Sequence, residues 1–206
     1  MKTATNPIQH FTYGEYRRWP AEERWELIDG VAYDMCPAPS LQHQEVLGEL
    51  FRQTANFLLG KPCRAFVAPF DVRLPEADET DDHIRTVVQP DLVVVCDSAK
   101  LDKAGCRGAP DWVVEVISPH TASKDHIRKR ALYERHGVKE YWLVYPSDSV
   151  VTRYLWQNGR FDEPSIGAAA GNMAVTCVPG LEIDWTFLNP QEEPLPGPRS
   201  YLSSQC

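Results

Sequence analysis

The sequence has no run of about eighteen apolar residues, the length a helix needs to span a bilayer. Its opening stretch, MKTATNPIQHF, lacks the apolar centre of a secretory signal. A cytoplasmic protein is expected. There is no CxxC pair and no zinc-ligand spacing. The six cysteines, Cys36, Cys63, Cys96, Cys106, Cys177 and Cys206, stand singly, so neither a disulfide framework nor a structural zinc is expected, and reduced, mostly buried thiols are the reading. Basic excess is missing too. A formal net charge of -8 opposes nonspecific attraction to a polyanion, so any nucleic-acid role must rest on a local basic surface. Repeats and low-complexity blocks are absent. What is present is 206 residues, 43% of them hydrophobic, enough to bury the core of a single domain. That domain is expected over 1–188, followed by a loosely held Pro-rich tail over 189–206.

Local signals order the chain. Thr12 with Glu15 three residues on is a capping box, so a short helix should run from TYGEY toward Pro20. Asp29-Gly30 inside WELIDGVAYDM is a two-residue hairpin turn. Ser40 caps an amphipathic helix with apolar residues at Val46, Leu47, Leu50, Phe51, Phe57 and Leu58 and a stop at Gly60. Two strands, CRAFVAPFDVRL and IRTVVQPDLVVVCD, flank the acidic PEADETDDH and read as a hairpin with a solvated loop. That loop lacks the spacing of a calcium site. DWVVEVI is a third strand, apolar on both faces, and a helix from about Ala122 to His136, ended by Gly137, leads to the strand KEYWLVYP. A strand, helix, strand unit of this size implies a right-handed parallel crossover. A last hairpin turns at Asn158-Gly159. The fold class expected is α/β of the α+β kind, a mixed sheet flanked by helices.

The chemistry starts with Glu115, a charge in the middle of WVVEVI, where a buried unpaired carboxylate costs more than its methylenes gain. Alternation puts Glu115 and Ile117 on one face, and Asp91, Val93 and Val95 on one face of their own strand. Asp91 after Pro90 alone reads as a turn residue; a second carboxylate on a neighbouring strand reverses that. On the following helix, Asp125, Lys129 and Tyr133 are four residues apart, and the crossover lays that helix against the sheet. Lys129 alone would be an ordinary solvent-facing lysine. Hard oxygen donors at this density suit magnesium, which takes one or two carboxylates and keeps several waters.

Asp91 in QPD and Glu115 in EVI resemble the acids of the PD-(D/E)xK nuclease superfamily. PDLVVV, DWVVEVISPHT, Lys129, Tyr133 and GVKEYWLVYP, with Gly30, Met35 and Pro39 through His43 upstream, resemble the Uma-type family of restriction endonucleases over roughly residues 10–190. The resemblance implies a restriction-endonuclease-like core. It also implies a Mg2+ or Mn2+ ion held by Asp91, Glu115 and the backbone carbonyl of Val116, and Lys129 as the catalytic lysine. Asp125 and Tyr133 would orient Lys129, and Glu45 would be an additional acid. The chain departs from the pattern at Ile117, where the E-x-K lysine belongs, at Tyr145, where an acid is usual, and at His120.

The expected activity is metal-assisted hydrolysis of phosphodiester bonds in DNA, by an endonuclease acting as a homodimer. A catalytically weak or inactive nuclease-fold dimer serving as a binding or scaffold module is the alternative, and an enzyme acting on a different phosphodiester, such as RNA or a small nucleotide, is a third reading because the fold alone does not fix the substrate. For dimerisation, Tyr154, Trp156 and Phe161 of the last hairpin are expected to form an exposed aromatic patch. For DNA, residues 120–140 hold six Lys or Arg against three acids, a basic face from which the acidic loop is expected to point away.

Overall fold

Local chemistry sets the first elements of the computed structural model, which describes residues 9–20, 22–35, 39–118 and 124–188. The tail from Asn189, His120 and the expected helix start at Ala122 lie outside them. Helix α1 (Tyr13–Tyr16) is held by the capping box, in which the Thr12 backbone N–H donates to Glu15 Oε2 at 2.8 Å. Strands β1 (Trp25–Ile28) and β2 (Val31–Asp34) turn at Asp29 and Gly30, whose φ values of 51° and 84° are those of a type I′ hairpin. Helix α2 (Leu41–Leu58) starts where Ser40 Oγ accepts the His43 N–H at 3.2 Å.

Two prolines then divide the expected hairpin between two sheets. Its outgoing leg forms β3 (Arg64–Val67) and, past Pro69, β4 (Val72–Arg73). The return leg forms β5 (Val87–Val88) and, past Pro90, β6 (Leu92–Val95). A proline donates no ladder hydrogen bond, so each leg leaves one sheet and enters the other where its proline stands. The remaining strands are β7 (Leu101–Asp102), β8 (Gly105–Arg107), β9 (Trp112–Val116), β10 (Glu140–Tyr145), β11 (Val150–Gln157), β12 (Arg160–Phe161), β13 (Ser165–Ala168), β14 (Asn172–Ala174) and β15 (Glu182–Asp184). A π-helical segment, Lys124–Lys129, runs into α3 (Arg130–His136), which Gly137 ends with a φ of 74°.

One sheet has the order β2-β1-β5-β4-β8-β7, and the other β12-β11-β10-β9-β6-β3, with β13 beside β11. The second is mixed: β10 is parallel to β9, as the helical crossover requires, while β6 and β11 run antiparallel to their neighbours. Alternation divides its residues between two cores. Leu92, Val94, Val114 and Trp142 pack with Val46, Leu47 and Leu50 of α2. Val93, Val113, Tyr141 and Leu143 pack with Leu132 and Tyr133 of α3 and with Val72 and Val88 of the other sheet. The α+β architecture with a mixed sheet is as the sequence implies. Among the described residues, no helix is long and apolar enough to cross a membrane.

Two expectations are corrected here. Arg64 pairs with Val95 in the β3–β6 ladder, so the next positions outward are Cys63 and Cys96, and these form a disulfide. Their separation of 33 residues conceals a cross-strand neighbourhood. The aromatic patch is also absent: Tyr154 and Phe161 are 7% and 4% exposed and pack with Tyr141, and Trp156 alone of the three is open, at 37%.

Where β4 begins, Asp71 Oδ1 accepts from Tyr16 Oη at 3.1 Å and from Gln89 Nε2 at 2.9 Å. Burial raises the Asp71 pKa above its ordinary 3.8. A group raised in the folded state contributes its full stability below its unfolded pKa and loses it as the pH rises through the folded one. Asp71→Asn keeps the accepting oxygen and removes the buried charge. It should therefore raise the urea midpoint at neutral pH, and the gain should vanish below about pH 3.8. A lower midpoint at neutral pH would contradict this.

Candidate active site

The site forms where β6 meets β9. Leu92 stands opposite Val114 in that antiparallel ladder, so one step further along the register Asp91 faces Glu115. Asp91 follows Pro90, and its carbonyl accepts the Ala68 N–H at 3.1 Å. Its Oδ2 accepts the Val116 N–H at 2.7 Å and lies 3.2 Å from His43 Nε2 of α2. Glu115 is 4% exposed, and its Oε1 accepts from Lys129 Nζ at 2.8 Å and from Tyr133 Oη at 3.0 Å. Lys129, 2% exposed, also reaches Glu26 Oε1 at 2.8 Å and Asp125 Oδ1 at 3.6 Å. Glu26 comes from β1 in the other sheet and accepts the Gln89 N–H at 2.9 Å as well.

The electrostatics follow from burial and crowding. Burial drives the Glu115 pKa well above its ordinary value; Lys129 opposes the shift, and Asp125, Asp91 and Glu26 add to it. Burial works against the Lys129 ammonium, but Glu115, Glu26 and Asp125 outweigh it and hold its pKa well above the usual one. The proton of this pair therefore stays on lysine. Tyr133 is raised by burial and by Glu115, and so remains a neutral donor.

A divalent ion fits this donor set in its chemistry. No described hydrogen bond takes Asp91 Oδ1 or Glu115 Oε2, so each acid keeps one hard oxygen, and the crowding that raises Glu115 is what a dication relieves. No cluster of three His, Cys, Asp or Glu side chains suited to a metal occurs among the described residues. Magnesium needs only one or two carboxylates, the rest of its shell being water and phosphate oxygen.

Of the residues singled out in the sequence, Asp91, Glu115, Lys129, Asp125, Tyr133 and the Val116 backbone come together. Glu45 does not: it is exposed on α2, and His43, two residues earlier, is the side chain that reaches Asp91. Glu26 was missed, although it carries the signature of Glu115, a charge between apolar residues of a short strand. Fully buried, it anchors the lysine from the second sheet.

The model of a family named Uma2, described as "Putative restriction endonuclease", matches residues 13–187. The chain belongs to the Uma2 family. It is similar to the uncharacterized protein slr1290 of Synechocystis sp., with 26% identity over 146 residues, 70% of this chain and 73% of that one. A solved structure, that of "a putative nuclease belonging to DUF820" from Anabaena variabilis, superposes with a TM-score of 0.67 at 20% identity. The match covers 86% of this chain and 97% of that one and supports the fold.

In this Uma2 protein, the basic face expected over 120–140 is partly neutralised among the described residues. Arg135 pairs with Asp29 at 2.7 Å and with Glu76 of the acidic loop at 3.0 Å, Lys139 pairs with Asp111 at 2.6 Å, and Lys129 is buried. The acidic loop thus folds onto the basic segment, because opposite charges on facing elements attract. At the departures from the family pattern, Ile117 is part-buried against the core on the α3 side of the sheet, and Tyr145 Oη bonds His126 Nε2.

Proposed function

We propose that this Uma2 protein is a metal-dependent endonuclease that hydrolyses phosphodiester bonds in DNA. One observation carries the reading: two carboxylates opposed where β6 meets β9, each with an oxygen that no hydrogen bond among the described residues takes, beside a buried lysine brought by the crossover helix. Asp91 and Glu115, with the Val116 carbonyl, would hold Mg2+ or Mn2+, which when bound lowers the pKa of a water and offsets charge on the phosphate. The Val116 N–H and His43 fix the Asp91 carboxylate. Lys129, kept protonated by its three acids, holds Glu115 in place and supplies the positive charge that orients the attacking water and stabilises the pentavalent phosphate. Tyr133 and Asp125 position that lysine and its partner carboxylate. A cytoplasmic location belongs to the same proposal, as does a homodimer, which rests on the family resemblance and not on the last hairpin.

Two observations favour a second reading, a nuclease fold kept as a binding module: isoleucine stands at the E-x-K lysine position, and the formal net charge is -8. Calorimetric titration with magnesium and manganese, followed by nicking of supercoiled plasmid, separates the two. The enzyme reading expects divalent-ion binding and nicking that EDTA abolishes. Absence of any divalent-ion binding would sink it in favour of the module.

A further inference from the structure

Gly48 lies inside the 18-residue helix α2, where glycine is less favourable than alanine because its backbone loses more freedom on folding. Packing does not explain it. A Cβ built at Gly48 meets no atom within 4 Å. The position lines a groove of about 170 Å3 that Asp91 and His43 also line, so the open space beside this glycine reaches the Asp91 edge of the candidate active site. Leu47, Phe51 and Val67 give the groove an apolar wall. Its polar side holds Arg24, which among the described residues pairs with no carboxylate: Nη2 donates to Gln89 Oε1 at 3.2 Å, and the buried Nε has no partner. His43, 8% exposed, adds a buried Nδ1 that is also without a partner.

Size and charge decide what fits. An apolar cavity of about 150 Å3 accepts benzene, so this groove takes one planar ring and is too small for a base pair. An unmatched guanidinium beside an apolar wall suits a ring attached to an anion. In a protein of formal net charge -8, affinity for a nucleic acid must come from few phosphate contacts together with base stacking, the combination used on unpaired strands. We propose that the groove receives one unpaired base of the DNA strand beside the scissile phosphate, with Arg24 on the adjoining phosphate. This deepens the nuclease reading and rests on it. Gly48 keeps the groove open, and the substrate is DNA with unpaired nucleotides; a base in intact duplex would first have to leave the stack.

The test compares wild type with Gly48→Ala, Gly48→Leu, Arg24→Gln and Arg24→Lys. Thermal unfolding, magnesium affinity and cleavage kinetics are measured on a single-stranded oligonucleotide and on its fully paired duplex. Wild type should cleave the single strand with the higher kcat/KM. Gly48→Ala should raise Tm by about 2–4 °C, since alanine is the better helix former. Gly48→Leu should unfold no lower than wild type and bind magnesium equally, yet raise KM for the single strand on the order of tenfold by filling the ring's place. Arg24→Gln should raise KM and lower the salt dependence of binding by about one phosphate, and Arg24→Lys should restore that salt dependence. A folded Gly48→Leu variant with wild-type KM, or a wild-type preference for paired duplex, overturns the groove assignment and leaves the nuclease reading standing. Failure of wild type to cleave either substrate with magnesium overturns both.

Discussion

Lys129→Ala should abolish cleavage, by about 10^3-fold or more, and destabilise the fold by about 3–5 kcal/mol, while magnesium affinity does not fall. The ammonium is no metal ligand. It is, however, the buried cation to which Glu26, Glu115 and Asp125 all pair. The pH dependence has a definite sign. Lys129, raised above its ordinary 10.5, contributes stability at any pH below that value and loses it only as the pH climbs through its folded pKa. Glu115, raised above 4.5, contributes in full below 4.5 and progressively less as the pH rises. With the ammonium gone, only protons can relieve the carboxylates. The deficit against wild type should therefore be largest at slightly alkaline pH and shrink as the pH falls toward 4.5. Urea denaturation across that range and plasmid nicking check both parts, and wild-type nicking by the variant would refute the role of Lys129. Adding Ile117→Lys returns an ammonium to the face of Glu115 and should regain part of the cleavage, within the limit set by burial.

Asp91→Asn should show the opposite pattern: magnesium affinity and cleavage lost together, stability nearly unchanged. Asparagine retains a carbonyl oxygen to accept from Val116 N–H but carries no charge for the ion. Residues that merely support a ligand typically cost about 10–100-fold in metal affinity when changed, and a ligand should cost more. Calorimetric titration of the variant against wild type measures this directly. Near-normal magnesium binding by Asp91→Asn would remove Asp91 from the site.

The turns and caps were legible because each is a local bargain. Asp29-Gly30, Ser40 and Gly137 act within a few residues of themselves, and they stand where their chemistry places them. Asp91 and Glu115 were legible through strand alternation, and the Asp125, Lys129, Tyr133 row through helical spacing. Glu26 was not, because its meaning comes from a lysine more than a hundred residues later in the chain. The Cys63–Cys96 bond and the burial of Tyr154 and Phe161 likewise depend on which strands lie side by side. Pro69 and Pro90 interrupt strands that read as continuous in the sequence, and nothing local says that a broken strand resumes in a second sheet. The basic segment misled for a related reason: composition counts charges, and only the fold shows that Glu76 and Asp29 meet Arg135.

That crossing of the hairpin legs from sheet to sheet makes the site a clasp. Asp91 sits one residue past a crossing point, and the Lys129 ammonium is gripped from β1 on one side and β9 on the other. Neither layer can swing away from its neighbour without pulling a charge out of its hole. Heat inactivation should therefore keep step with the collapse of the whole body, and a partly melted form that still cuts is not a state this architecture can hold.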